Sequence, residues 1–132
     1  MFIPRIYDGV QPAPWELQPA GASLAAKVGM ALYLASGVLA KATATQKPEF
    51  ICMEDTTAGA TAGETYLHVI RVQPTIEFET VLSEASASIA RGAKYTIGTD
   101  AGSITATATN GVAEVVDYEG KAQGDKVTVR FA

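Results

Sequence analysis

The chain has 132 residues, 48% of them apolar and 18% charged, and its 14 acidic and 10 basic side chains leave a net charge of −4. That length holds one compact domain or two very small halves, and the apolar share supports a buried core, which excludes a multidomain machine and global disorder. The acidic balance repels a nucleic-acid backbone, so direct nucleic-acid binding is not expected.

Residues 1–21 carry four of the six prolines, Pro4, Pro12, Pro14 and Pro19. Each removes a backbone donor and fixes a dihedral, which opposes a regular helix or a central strand and predicts an extended N-terminal arm. Phe2, Ile3, Tyr7, Val10 and Trp15 are too many apolar groups for a purely solvated tail. Some of them are expected to dock on a surface, the alternative being a frayed terminus with Trp15 tucked against its own domain. The arm has neither the basic start nor the apolar stretch of a secretory signal. The longest uncharged apolar-rich run, residues 28–40 between Lys27 and Lys41, falls short of the ~20 residues of a membrane helix. No membrane association is expected, and synthesis in a cytoplasm is.

From Ala22 the pattern changes to short β-like runs. Residues 30–34, 50–53, 66–72, 76–82, 94–97, 104–109, 112–116 and 126–131 are candidate strands. Ser36-Gly37, Ala62-Gly63, Asp100-Ala101-Gly102, Asn110-Gly111, Glu119-Gly120 and Gln123-Gly124-Asp125 supply the turns between them. Val28, Leu32, Ala35 and Leu39 also fall at helical spacing, but an internal comparison favours strand. Residues 27–34 align with 90–97, 37–45 with 102–109, 50–54 with 112–116 and 63–69 with 124–130. The second copy is rich in Thr, Ile and Val, a composition suited to strand, and the first copy follows it. The expected fold class is all-β. Two weakly repeated units, residues 22–82 and 83–132, pack as one barrel-like or sandwich-like domain behind the arm of residues 1–21. Units this small lack independent stability without a disulfide or a metal, so the halves share a core or lean on neighbours.

Catalytic chemistry finds little support. Cys52 and His68 are the only thiol and imidazole, which excludes an intrachain disulfide and four-ligand structural zinc. Strand alternation sets Cys52 with Phe50 and His68 with Tyr66 and Ile70, the company of core residues rather than of a nucleophilic dyad. Glu77 and Glu79 alternate with Ile76 and Phe78, as on the outward face of a half-buried strand. No calcium loop, phosphate-binding glycine loop or Gly-x-Ser-x-Gly elbow occurs, so no metal, cofactor or catalytic residue is expected. Residues 82–90 between the units contain no lysine, which rules out a lipoyl- or biotinyl-carrier arrangement. Arg71, Arg91 and Arg130 with nearby aromatics suit a single-strand stacking platform only weakly, without a basic excess.

Several segments taken in order are similar to the small capsid decoration, or cement, proteins of tailed bacteriophages, a family with prophage-encoded members. They are Val28-Gly29-Met30-Ala31-Leu32, Ser36-Gly37-Val38-Leu39-Ala40-Lys41-Ala42 and Pro48-Glu49-Phe50-Ile51-Cys52-Met53, followed by Val69-Ile70-Arg71-Val72, Gly111-Val112-Ala113-Glu114-Val115-Val116 and Gly124-Asp125-Lys126-Val127. The resemblance covers most of residues 24–132 and leaves the arm unmatched. It implies a non-enzymatic β protein of the virion, made in the bacterial host cytoplasm, that binds the outer face of the major capsid protein shell, commonly as a homotrimer. From composition alone, the arm is expected to cross a subunit boundary through Phe2, Ile3, Tyr7 and Trp15, each buried aromatic anchor contributing about 2 kcal/mol. A ligand-binding β module for glycans or peptides is the alternative, and it predicts exposed aromatics clustered on one sheet face.

Overall fold

A computed structural model describes residues 1–6 and 14–131. The described residues are all β, with no helix. Twelve strands run in chain order: β1 Ile3–Ile6, β2 Trp15–Pro19, β3 Ala25–Ala26, β4 Ala31–Ala35, β5 Val38–Lys41, β6 Phe50–Cys52, β7 Thr56–Thr57, β8 Tyr66–Arg71, β9 Glu77–Val81, β10 Lys94–Tyr95, β11 Ala113–Tyr118 and β12 Lys126–Arg130. They form a sheet of order β2-β8-β6-β4-β5, a second of order β1-β9-β12-β11-β10 and the small pair β3-β7. The arrangement is sandwich-like rather than a closed barrel. One apolar cluster joins both sheets, with Leu32, Phe50, Ile51 and Leu67 from the first and Phe78, Val115 and Val129 from the second, all at or below 1% exposure.

The helical spacing over residues 28–39 is realised as a hairpin instead. β4 and β5 pair through Ala35 and Val38, and the two-residue loop places Ser36 at φ 53 and Gly37 at φ 84. Two positive φ values define a type I′ turn, whose twist matches that of the flanking strands.

The two sheets repeat the same backbone bonds at equivalent positions of two strand pairs. Gly29 N–H donates to Cys52 O at 2.8 Å and Gly92 N–H to Val115 O at 2.8 Å; Cys52 N–H donates to Met30 O and Val115 N–H to Ala93 O, both at 2.9 Å. Gly29 and Gly92 share positive φ, 82 and 84. Single parallel bridges at equivalent positions, Ala20 to Leu39 and Leu82 to Ile104, tie the residue that follows the opening strand of each unit to β5 in the first and to a loop residue in the second. β2, β4, β6 and β8 therefore correspond to β9, β10, β11 and β12.

This correspondence moves the boundary between the units. β9, which the sequence leaves as a connector at the end of the first unit, is the opening strand of the second, so the units meet between Arg71 and Glu77 rather than after Leu82. It also shifts the aligned register by one residue. Phe50 is equivalent to Ala113, because Leu32 pairs with Phe50 where Tyr95 pairs with Ala113.

The N-terminal arm is built into this body as two edge strands. β1 pairs with β9, β2 pairs with β8, and each lies at the rim of its sheet. Pro4 and Pro19 sit in these strands, in the one place in a sheet where a missing donor costs no ladder bond.

Candidate functional site: the open rim of the first sheet

β2 carries the largest exposed apolar side chains of the described residues. Trp15 is 58% and Leu17 56% exposed, and Tyr66 on the neighbouring β8 is 56% exposed. The register pairs Trp15 with Ile70, Leu17 with His68 and Pro19 with Tyr66, so these side chains share one face of the sheet. The opposite face of the pair turns Leu67 and Val69, both fully buried, into the core.

His68 lies on this outer face and not in the core. Alternation sets it with Tyr66 as the sequence predicts, but the outer face of β8 meets solvent there, and only Ile70 farther along is buried. Its ring nitrogen Nδ1 bonds Glu54 Oε2 at 2.5 Å, and its ring lies 5.8 Å from that of Trp15. The Glu54 carboxylate also accepts the Thr56 hydroxyl at 2.8 Å and the His68 backbone N–H at 3.2 Å. The His68 side-chain bond, then that of Thr56, holds the Glu54 carboxyl below the usual carboxylate range.

Cys52 pairs with Val69 and is fully buried. It therefore faces the core while His68, one position along β8, faces away, and the sheet separates thiol from imidazole. Burial pushes the Cys52 thiol up, although its hydrogen bond to Glu54 O at 3.1 Å opposes this. A raised thiol in contact with the core is a poor nucleophile.

The arm residues have separate fates. Phe2, expected to anchor a neighbouring subunit, is 1% exposed and stacks edge-on against Phe131 at 5.2 Å, which in turn lies 5.7 Å from Phe78. Its apolar surface is satisfied within its own core, so it is not an intermolecular anchor. Ile3 is half-buried in β1 on the other face of that strand. Tyr7 lies outside the described residues. Of the three described ones, Trp15 alone is displayed to solvent.

The arginines form no common platform. Arg71 bonds Glu16 at 3.0 Å and lies 4.8 Å from the Phe50 ring, Arg91 bonds Asp117 at 2.6 Å, and Arg130 bonds Glu114 at 3.1 Å. Each is neutralised by a carboxylate of its own sheet. Two shallow clefts, ≈ 380 Å³ beside Lys47, Glu49 and Arg71 and ≈ 390 Å³ beside Lys41 and Ile97, bring no nucleophile to a base. No cluster of His, Cys, Asp or Glu suited to a metal ion occurs among the described residues.

Leu17 and Tyr66 are the members of the exposed group that sequence reading missed. The alternation Trp15-Glu16-Leu17 is the available signal, hidden because the prolines around it argue against any strand. In comparison with known proteins, no family model matches the chain and no curated protein is significantly similar to it.

Proposed function

We propose that this protein is a non-enzymatic structural protein that binds and stabilises the outer surface of a tailed-phage capsid shell, as the resemblance read from residues 24–132 implies. Its partners are the major capsid protein and further copies of itself, a trimer in the implied arrangement, and its place is the virion surface. The observation that carries the reading is the exposed apolar group Trp15, Leu17 and Tyr66 on a small all-β body. Such a group in an otherwise ordinary surface marks a contact with another macromolecule.

The test uses empty shells assembled from the major capsid protein that this reading expects to be encoded beside the chain. The protein is expected to co-sediment with the shells and to raise their melting temperature. Trp15→Ala is expected to weaken binding by about tenfold or more, the range of an interface hot spot. Absence of co-sedimentation at micromolar protein overturns the reading.

One observation favours a second reading, the glycan- or peptide-binding module. Trp15 and Tyr66 share one sheet face, with Ile70 and Pro19 as their register partners, about 13 Å apart along the strand. That reading predicts saccharide or peptide binding lost in both Trp15→Ala and Tyr66→Ala, and no dependence on capsid shells.

A further inference from the structure

The rims of the two equivalent sheets are treated in opposite ways. In the second sheet the outer side of β9 is covered by β1, which pairs Ile3 with Glu79 and Ile6 with Glu77. In the first sheet the equivalent strand is β2, whose outer side meets β5 only at its end, through the Ala20–Leu39 bridge, and among the described residues no strand pairs with it at Trp15 or Leu17. Leu17 and Trp15 hold the positions of Glu79 and Glu77.

The direction of the free backbone groups follows from one bond. Ala20 N–H donates to Thr65 O at 2.8 Å, so Gln18 and Glu16 also turn their backbone groups toward β8, and Trp15 and Leu17 turn theirs outward. These are the two positions that β1 uses in the other sheet. The side chains are reversed relative to what a free rim requires. The covered strand β9 carries two glutamates, and the uncovered β2 carries Trp15 and Leu17, more than half exposed. Free rims are normally blunted by charge, especially lysine, and β2 has none free, since its one acidic residue, Glu16, is held by Arg71 at 3.0 Å.

A copy of β1 does not fit this rim. β1 is fixed by Phe2 against Phe131, which itself packs on Phe78, and the positions equivalent to Phe131 and Phe78 are Arg71 and Glu16, an ion pair. β2 itself does fit. We infer that β2 is a self-pairing strand, joining antiparallel to β2 of a second copy about a two-fold axis at Glu16. In that register Trp15 of each copy lies opposite Leu17 of the other and exchanges both backbone bonds with it. Every outward donor and acceptor of Trp15 and Leu17 is used, and the missing N–H groups of Pro14 and Pro19 are not needed. The two indoles cover the two leucines on the outer face. The two Glu16 carboxylates meet at the axis, each neutralised by its own Arg71. An isologous contact of this kind closes as a dimer. The strand pair is short, so the association is weak in free solution, in the micromolar to millimolar range. The inference does not rest on the capsid reading, and the two-fold contact is distinct from any three-fold one.

Sedimentation velocity across a concentration series tests it on the full chain. A reversible dimer is expected. Leu17→Pro removes an outward N–H and no bond to β8, and it is expected to lower the association constant by about thirtyfold, the loss of two net hydrogen bonds, with an unchanged circular dichroism spectrum. Under oxidation, Glu16→Cys is expected to give a disulfide-linked dimer, because directly opposed residues fall within disulfide reach. Gln18→Cys, displaced from the axis, is expected to give none, and the native Cys52 is buried and does not compete. A monomer at millimolar concentration, association untouched by Leu17→Pro, or equal cross-linking of both cysteine variants overturns the inference.

Discussion

Phe2 and Trp15 are both large aromatics of the proline-rich leader, and their surroundings assign them opposite roles. Phe2 is 1% exposed against Phe131, whereas Trp15 is 58% exposed beside His68. Phe2→Ala is therefore expected to destabilise the fold by about 3–5 kcal/mol, the cost of a core aromatic cavity. Trp15→Ala is expected to shift stability by only about 0.5 kcal/mol, as for an ordinary surface site. Urea denaturation of both variants checks the contrast, and equal losses would contradict it. Glu54 and Asp117 add a dependence on acidity. The His68 bond holds Glu54 low and the Arg91 bond holds Asp117 low. A depressed carboxyl contributes stability that is present above its unfolded value and lost as pH falls through its folded value. The urea midpoint is thus expected to fall as pH drops below the ordinary carboxylate range, with a shallower fall in Glu54→Gln. At this scale the sequence put both Cys52 and His68 among core residues, which holds for Cys52 and not for His68. Alternation assigns residues to a face of a strand without saying which part of that face meets solvent.

At the scale of elements, the hairpin of β4 and β5 shows how local chemistry overrides a misleading period. Ser36 occupies a left-handed conformation at φ 53 ahead of Gly37, a position that asparagine tolerates better. Ser36→Asn is expected to stabilise the protein by about 0.5–1 kcal/mol, within the range of turn optimisation, measured as a raised melting temperature. Most longer strands from β4 onward were legible from β-rich runs bounded by glycine turns. β1 and β2 were not, because proline is compatible with a strand only at a rim and rim position is not local information. The two-residue strands β3 and β7 are too short to show a period, while β10 occupies the first half of the predicted run 94–97. The one-residue slip in the repeat arises in loops of unequal length. Gly63 precedes Tyr66, the first residue of β8, by three positions, and Gly124 precedes Lys126, the first of β12, by two.

On the scale of the whole molecule, neither unit owns a complete core. Ile97 N–H of the second unit donates to Ala44 O of the first at 3.0 Å, Ala31 N–H of the first donates to Ala101 O of the second at 2.7 Å, and β1 precedes the first unit yet completes the sheet of the second. Separate fragments 14–73 and 74–131 are each expected to lack cooperative thermal unfolding, while the intact chain unfolds in a single transition. Circular dichroism melts of the three check this, and an independently melting fragment would contradict it. The repeat that predicts a shared core was visible in the sequence, whereas the bare rim was not, since it depends on which copy the leader joins. One leader serving two like-built sheets makes the molecule lopsided by construction: one flank carries an added strand and its counterpart does not. A duplicated polypeptide of this kind has a front and a back, and so can be laid on a surface with a defined heading that neither half would possess alone.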